Sequence, residues 1–221
     1  MNMTVIRDIY PLPILEIKIP KKFISIVPLL NKYGMVKDLQ TEISGEVSHN
    51  SYILNDSKFK FFKNFILEKI NYYGYEVLGL NSQNYQITQS WVSIKKSNKH
   101  HSAHVHSNSI ISGVFFFGKK DKNTPGLNLI SPYRSNPSGN NFSLKVPLRP
   151  NYNEGLLSSL HYTIPFQPGL MVLFPSFVGH SVDISQSQLP RKSLAFNAVP
   201  KEGFGLEEGL NECKIMNYDN E

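Results

Sequence analysis

The chain of 221 residues has one cysteine, four arginines and no long apolar run, and each scarcity removes a class of protein. Cys213 alone allows neither an intramolecular disulfide framework nor a cysteine-rich zinc or iron–sulfur site, which fits a reducing compartment or indifference to redox. No stretch approaches the ~18 apolar residues that span a bilayer. The opening MNMTVIRDIYPLPILEIKIP carries Asp8 and three prolines where a secretory signal needs an unbroken apolar core. A cytoplasmic protein with no membrane partner is expected. Charged residues make up only 18% of the chain, yet 40% hydrophobic and 12% aromatic residues are too many for a disordered one. The length fits one large domain or two small ones, with enough chain to bury a core without staples.

The formal charge of +6 raises the question of nucleic acid, and its distribution argues against that partner. Nineteen of the 23 cations are lysines, scattered in small groups such as Lys21-Lys22, Lys95-Lys96-Lys99 and Lys119-Lys120-Lys122. There is no basic stripe, and arginine, the preferred reader of phosphates and bases, is nearly missing.

What is present falls into two patterns. In the first third, Ile14 to Ile19 alternate as a strand, and Ser57 to Tyr73 place Phe59, Phe62, Phe65/Ile66 and Ile70 on one helical face with lysines opposite. Gly74 is expected to stop that helix. From Gln83 onward the period shortens to two: YQITQSWVSI, SAHVHS, IISGVFFFG, GLMVLF from Gly169 to Phe174, and KSLAFNAV from Lys192 to Val199. Several short strands separated by turn signals predict an all-β sandwich or barrel. The stretch from Gly118 to Pro165, rich in Asn, Ser, Pro and Gly, shows little periodicity and reads as a long loop, a candidate lid. No repeat or linker divides the chain. The expectation is one domain over 1–221, with a mixed helical layer at 1–80, a β core at 83–200 and a tail at 201–221.

Four of the seven histidines fall between His100 and His106. Because side chains alternate along a strand, His104 and His106 in H-V-H share a face, ~7 Å apart along the backbone, and could converge on one ion. A solvated His-rich loop would read the same way. A second feature favours the metal: GLMVLFPSFVGH, an apolar strand that stops at Pro175 and is followed closely by His180. Eleven residues on, Arg191 opens a strand in which Arg191, Ser193, Ala195 and Asn197 form a small polar face and Lys192, Leu194 and Phe196 the other. A polar face on such a strand looks into a barrel, and an arginine buried there needs an anion.

Taken in order, H-x-H-S-N-S-I-I-S-G-V-F-F-F, G-L-M-V-L-F-P-S-x-x-x-H and R-K-S-L-A-F-N resemble the Fe(II)- and 2-oxoglutarate-dependent oxygenases, most closely a branch found in marine bacteria and their phages. The likeness covers about half the chain, Trp91 to Asn197. It implies a mainly β fold, a double-stranded β-helix (a cupin-like jelly roll) with N-terminal helices packed on one sheet. It also implies Fe(II) as cofactor, 2-oxoglutarate and O2 as small-molecule partners, and, were the chain phage-encoded, the host cytoplasm as its location. His104 and His180 match the two histidine ligands of the facial triad; Arg191 matches the arginine that pairs with the distal carboxylate of 2-oxoglutarate, with Ser193 adding a hydroxyl. The wider superfamily has Asp or Glu where this chain has His106, so the third ligand would be a neutral imidazole.

The resemblance thus implies a dioxygenase, a hydroxylase, that couples oxidative decarboxylation of 2-oxoglutarate to oxidation of an unidentified substrate. Two alternatives stay open: a cupin-like three-histidine metalloprotein working without 2-oxoglutarate, which gives Arg191 no role, and a non-catalytic metal-binding module. Trp91 and Tyr85 would line a substrate pocket or belong to the core. Asn108 and Asn197 would support the ligands from behind or be strand-end polars. Ser112-Gly113 marks a close backbone approach or a bulge, or gives Ser112 a role at the cosubstrate. His49, His100, His101 and His161 read as ordinary surface or loop histidines, and Cys213 as a bystander. Oligomeric state is left open, a homodimer included.

Overall fold

The structure is a computed structural model and describes residues 12–37, 45–132 and 161–215. Among the described residues, eleven strands build two facing sheets. The first four are β1 (Leu15–Lys18), β2 (Met35–Lys37), β3 (Glu46–Ser48) and β4 (Tyr85–Lys95). They are followed by β5 (His101–His104), β6 (Ile111–Phe117), β7 (Leu127–Ile130) and β8 (His161–Ile164). Last come β9 (Leu170–Pro175), β10 (His180–Val182) and β11 (Arg191–Pro200). One sheet runs β1-β9-β6-β11-β4-β3-β2 and the other β5-β10-β7-β8, with every pairing antiparallel. From β4 to β11 the chain passes back and forth between the sheets. That winding is a jelly roll, the expected fold class. A two-stranded ribbon, β12 (Gly203–Phe204) with β13 (Cys213–Lys214), follows the barrel.

The sequence around the helix explains how the outer layer attaches. Asp56 accepts a hydrogen bond from the Lys58 backbone N–H at 3.1 Å, opening a 3-10 turn at Ser57–Phe59 that leads into the main helix, Lys60–Tyr72. Phe62, Ile66 and Ile70, at four-residue spacing, are buried against the seven-stranded sheet, where Phe62 meets the edge of Phe115 at 5.5 Å between ring centres. Each such side chain contributes ~1.5–3 kcal/mol through burial. Gly74 does not stop the helix as expected. The coil widens into a π turn at Tyr73–Val77, and the missing side chain serves packing: a Cβ at Gly74 would meet the Tyr85 hydroxyl at 2.5 Å.

Strand β6 is buried along its whole length because both its faces are covered. Phe115 and Phe117 join the helix-side core, whereas Val114 and Phe116 point between the sheets with Leu127, Leu129, Ile164 and Phe166. Gly113 is required by a close approach, since a Cβ there would run into the ring of Phe196.

The reading of Gly118 to Pro165 as an aperiodic loop is corrected at both ends: β7 and β8 lie within it, paired from Leu127↔Ile164 to Ile130↔His161. Asparagine and glycine had hidden two four-residue strands. Residues 133–160, the middle of the candidate lid, lie outside the described residues, as do 1–11, 38–44 and 216–221. Among the described residues no helix is long and apolar enough to cross a membrane.

Candidate metal and anion site

The site forms at the end of the barrel where β5, β10 and β11 come together. His104 ends β5 and His180 opens β10, and the two are direct cross-strand partners. Their ring centres are 4.2 Å apart. His106 lies beyond the end of β5, not on it; its backbone N–H donates to the Ser176 carbonyl at 3.1 Å, so the P-S turn after β9 holds it over the other two. Its ring centre is 5.2 Å from that of His104 and 5.1 Å from that of His180. One ring nitrogen from each of the three lies within 4.8 Å of the others, the spacing of a set that can close on one ion.

The rings are prepared as neutral ligands. His104 Nδ1 lies 2.8 Å from the Ser102 carbonyl oxygen and His180 Nδ1 3.0 Å from that of Val178. A carbonyl only accepts, so both rings carry their proton on Nδ1 and leave Nε2 for a metal. Burial, reinforced by His104, lowers the pKa of His106 to about 4 and that of His180 to about 3. Three neutral imidazoles suit Fe(II) as well as Zn(II), Ni(II) or Cu(II) and do not suit Mg(II) or Ca(II).

Deeper in the same cleft lies the polar face of β11. Arg191, Ser193, Ala195 and Asn197 all line it together with the three histidines, Trp91 and Ser112. Arg191 is only 2% exposed. Its Nε donates to the Pro125 carbonyl at 3.1 Å and one terminal nitrogen to Ser193 Oγ at 3.3 Å. The guanidinium sits 5.1 Å from the ring centre of Phe116 and 5.5 Å from that of Phe166. Among the described residues no carboxylate pairs with it, and burial lowers its pKa to about 10. A charged fork on aromatic walls, with donors to spare, is suited to an incoming carboxylate.

Trp91 stands 5.9 Å from His106, ring centre to ring centre, and faces the cleft. Ser112 faces it too and bonds Asn197 Oδ1 at 3.0 Å. Asn108 is exposed, donates to Gln89 at 3.2 Å and does not line the cleft. Tyr85 lies in the helix-side core, away from the histidines. The reason is one extra residue in β4: Asn197 pairs with Gln89 and Ala198 with Ile87, leaving Thr88 as a bulge that reverses the faces. Period-two counting from Trp91 back to Tyr85 therefore fails.

His101 was missed. Far from being a loop histidine, it lines the cleft on β5, its ring centre 4.2 Å from that of His104, with its pKa lowered to about 2 chiefly by burial. Its distance of three residues from His104 does not fit the alternation of a flat strand, so no spacing signal marked it. Lys95, on the face of Trp91 and Ser93, also lines the cleft. A larger crevice of about 530 Å³, bounded by Ile24, Val27, Phe115, Phe117 and Lys192, contains no histidine, so the chemistry points to the smaller cleft.

Sequence comparison bears on the chemistry of this cleft. Residues 89–197, the segment that carries every ligand candidate, match a family described as "Putative 2OG-Fe(II) oxygenase". Over that segment the chain is similar to the 2OG-Fe(II) oxygenases. Its fold is similar to that of SnoN, a non-heme alpha ketoglutarate dependent epimerase from nogalamycin biosynthesis (11% identity, 93% of this chain and 91% of that one, TM-score 0.61). It is also similar to a Pseudomonas putida prolyl-4-hydroxylase (10% identity, 85% and 92%, TM-score 0.57). A third similar fold is HygX from Streptomyces hygroscopicus, solved with nickel, 2-oxoglutarate and hygromycin B (10% identity, 86% and 83%, TM-score 0.52). No curated protein is significantly similar to the chain in sequence.

Proposed function

We propose that the chain is an Fe(II)/2-oxoglutarate-dependent hydroxylase in which His104, His106 and His180 hold the metal and Arg191 with Ser193 grips the distal carboxylate of 2-oxoglutarate. The observation that carries this reading is the sharing of one cleft by three neutral imidazoles and a buried arginine with no acidic partner among the described residues. The chemistry that Fe(II) and 2-oxoglutarate supply when bound is reduction of O2 coupled to oxidative decarboxylation, which yields succinate, CO2 and a hydroxylated substrate. The chain orients the cosubstrate by the charged fork of Arg191 and the Ser193 hydroxyl and walls it from water with Val114, Leu127 and Phe174. Trp91 lines the same cleft beside His106, which makes it a candidate contact for the primary substrate.

The cleft draws its lining from strands spread between β4 and β11, which supports treating the chain as one catalytic unit. The test is succinate release from 2-oxoglutarate by protein loaded anaerobically with Fe(II) and then exposed to O2. Wild type is expected to turn over slowly without substrate, and His104→Ala and Arg191→Met not at all. Succinate release that survives in Arg191→Met would remove Arg191 from the cosubstrate's site, and wild type that binds metal yet releases no succinate would instead favour a three-histidine metalloprotein acting without 2-oxoglutarate, a reading that draws support from His106 standing where the superfamily has a carboxylate.

A further inference from the structure

Three histidines that close on one ion need three lone pairs turned inward, and main-chain carbonyls fix this for only two of them. The third ring, His106, has its Nδ1 3.4 Å from the side-chain nitrogen of Asn197. An amide differs from a carbonyl in that either end can be presented, so Asn197 can give a hydrogen bond or take one. Its other end is held by a chain of hydroxyls. Asn197 Oδ1 accepts from Ser112 Oγ at 3.0 Å, Ser112 Oγ lies 2.8 Å from Ser176 Oγ, and Ser176 Oγ accepts from Ser109 Oγ at 2.8 Å. Asn197, Ser112 and Ser176 are each at most 2% exposed, so these groups have only one another to satisfy them. The backbone of Asn197 is pinned besides, its carbonyl accepting from the Thr88 hydroxyl at 3.3 Å beside the bulge.

In this arrangement the amide N–H points at His106 Nδ1, which must be bare, and the ring proton sits on Nε2. That is the wrong tautomer for a ligand. We propose that Asn197 is the positioning residue of the third ligand and that metal binding turns its amide over. Oδ1 then accepts from His106 Nδ1–H, and Nδ2 donates to Ser112 Oγ. The Ser112 hydroxyl swings to Ser176, that of Ser176 to Ser109, and the half-buried Ser109 hydroxyl swings out to solvent. One imidazole proton leaves Nε2 for water and another arrives from water at Nδ1, so the ring stays neutral and the count of protons is unchanged. The three serines with Asn197 thus form a relay with two self-consistent settings, one for the empty site and one for the filled site.

The proposal rests on His104, His106 and His180 being the ligands, and the test separates the two claims. Zn(II) is titrated at pH 8 into full-length protein carrying 15N-labelled histidine, and the imidazole nitrogen signals report which atom holds each proton. His104 and His180 are expected to be protonated on Nδ1 throughout, while His106 moves from Nε2 to Nδ1 with the first equivalent. A His106 ring with the same tautomer before and after overturns the relay; three rings that ignore Zn(II) overturn the metal site itself. Asn197→Asp offers acceptors only and Asn197→Leu offers nothing. Zn(II) affinity is expected to hold or tighten in the first and to fall at least ~10-fold in the second. Unchanged affinity in Asn197→Leu overturns the proposal. Should that variant fail to fold, Ser112→Ala removes the acceptor that the turned amide needs. A severalfold loss of affinity is expected there, and none would again refute the relay.

Discussion

Replacing Arg191 by methionine separates a residue kept for binding from one kept for stability. The guanidinium is 2% exposed, and its pKa falls from 12.5 to about 10. At ~1.4 kcal/mol per pH unit, burying the charge costs roughly 3 kcal/mol at neutral pH. Methionine removes that cost and keeps most of the volume. Against the gain stand the Pro125 carbonyl, which loses its donor at ~1–3 kcal/mol, and the contacts over Phe116 and Phe166 at ~0.5–2 kcal/mol. The two sides nearly cancel. Arg191→Met is therefore expected to change stability by less than ~1 kcal/mol, within ~4 °C in Tm for a chain of this size. Removing one member of an ordinary buried ion pair would cost ~3–5 kcal/mol. Binding responds differently. Two charge-assisted hydrogen bonds at ~1.5–3 kcal/mol each make 2-oxoglutarate bind about 10²- to 10⁴-fold more weakly. Thermal denaturation of the Zn(II)-loaded protein with and without 2-oxoglutarate reads both quantities. A loss of 3 kcal/mol or more in the absence of 2-oxoglutarate, or a ligand-induced Tm rise equal to that of wild type, would refute the reasoning.

Further outcomes follow from the packing and the titration of the site. The folded pKa values of His106, His180 and His101, about 4, about 3 and about 2, lie below the ordinary histidine value of 6.5. The unfolded chain therefore binds more protons below pH 6.5. Stability of the metal-free protein is expected to be full above that pH and to fall as pH drops from 6.5 toward 3, by up to ~1.4 kcal/mol per pH unit for each ring. Urea midpoints between pH 4 and 8 test this, and a flat profile contradicts it. Phe62→Ala should cost ~3–5 kcal/mol by opening a cavity beneath Phe115. Gly113→Ala should cost ~1–3 kcal/mol by pushing a methyl into Phe196 and Leu173, read in the same denaturation assay. His101→Asn should retain one metal per chain by atomic absorption, because His101 stands outside the converging set, whereas His104→Ala should lose it.

The legible parts of the fold were those where one physical rule dominates. Strands β6 and β9 are covered on both faces, and their unbroken apolar runs mark them at once. The polar and small residues at every second position of β11 identify the cleft face correctly from Arg191 to Asn197, since that strand stays in register along this stretch. Where local chemistry and tertiary contacts disagreed, the pattern was silent. β7 and β8 are only four residues each and gain their stability by pairing with one another. Gly74 carries the usual signature of a helix end, yet its role is set by Tyr85, which packs against it from β4. His106 was placed on the right side for a partly wrong reason: it reaches the site from a turn tied to Ser176, whereas only His104 occupies a strand position.

Thr88 has a consequence for anyone who would exchange parts among jelly rolls. Because of it, the first residues of β4 feed the core beneath the helix, while Trp91, Ser93 and Lys95 of the same strand look into the cleft. A donor strand of equal hydrophobicity but one residue shorter would hand Tyr85 and Ile87 to the opposite compartment. The phase of this strand, more than its composition, is what a chimera must inherit.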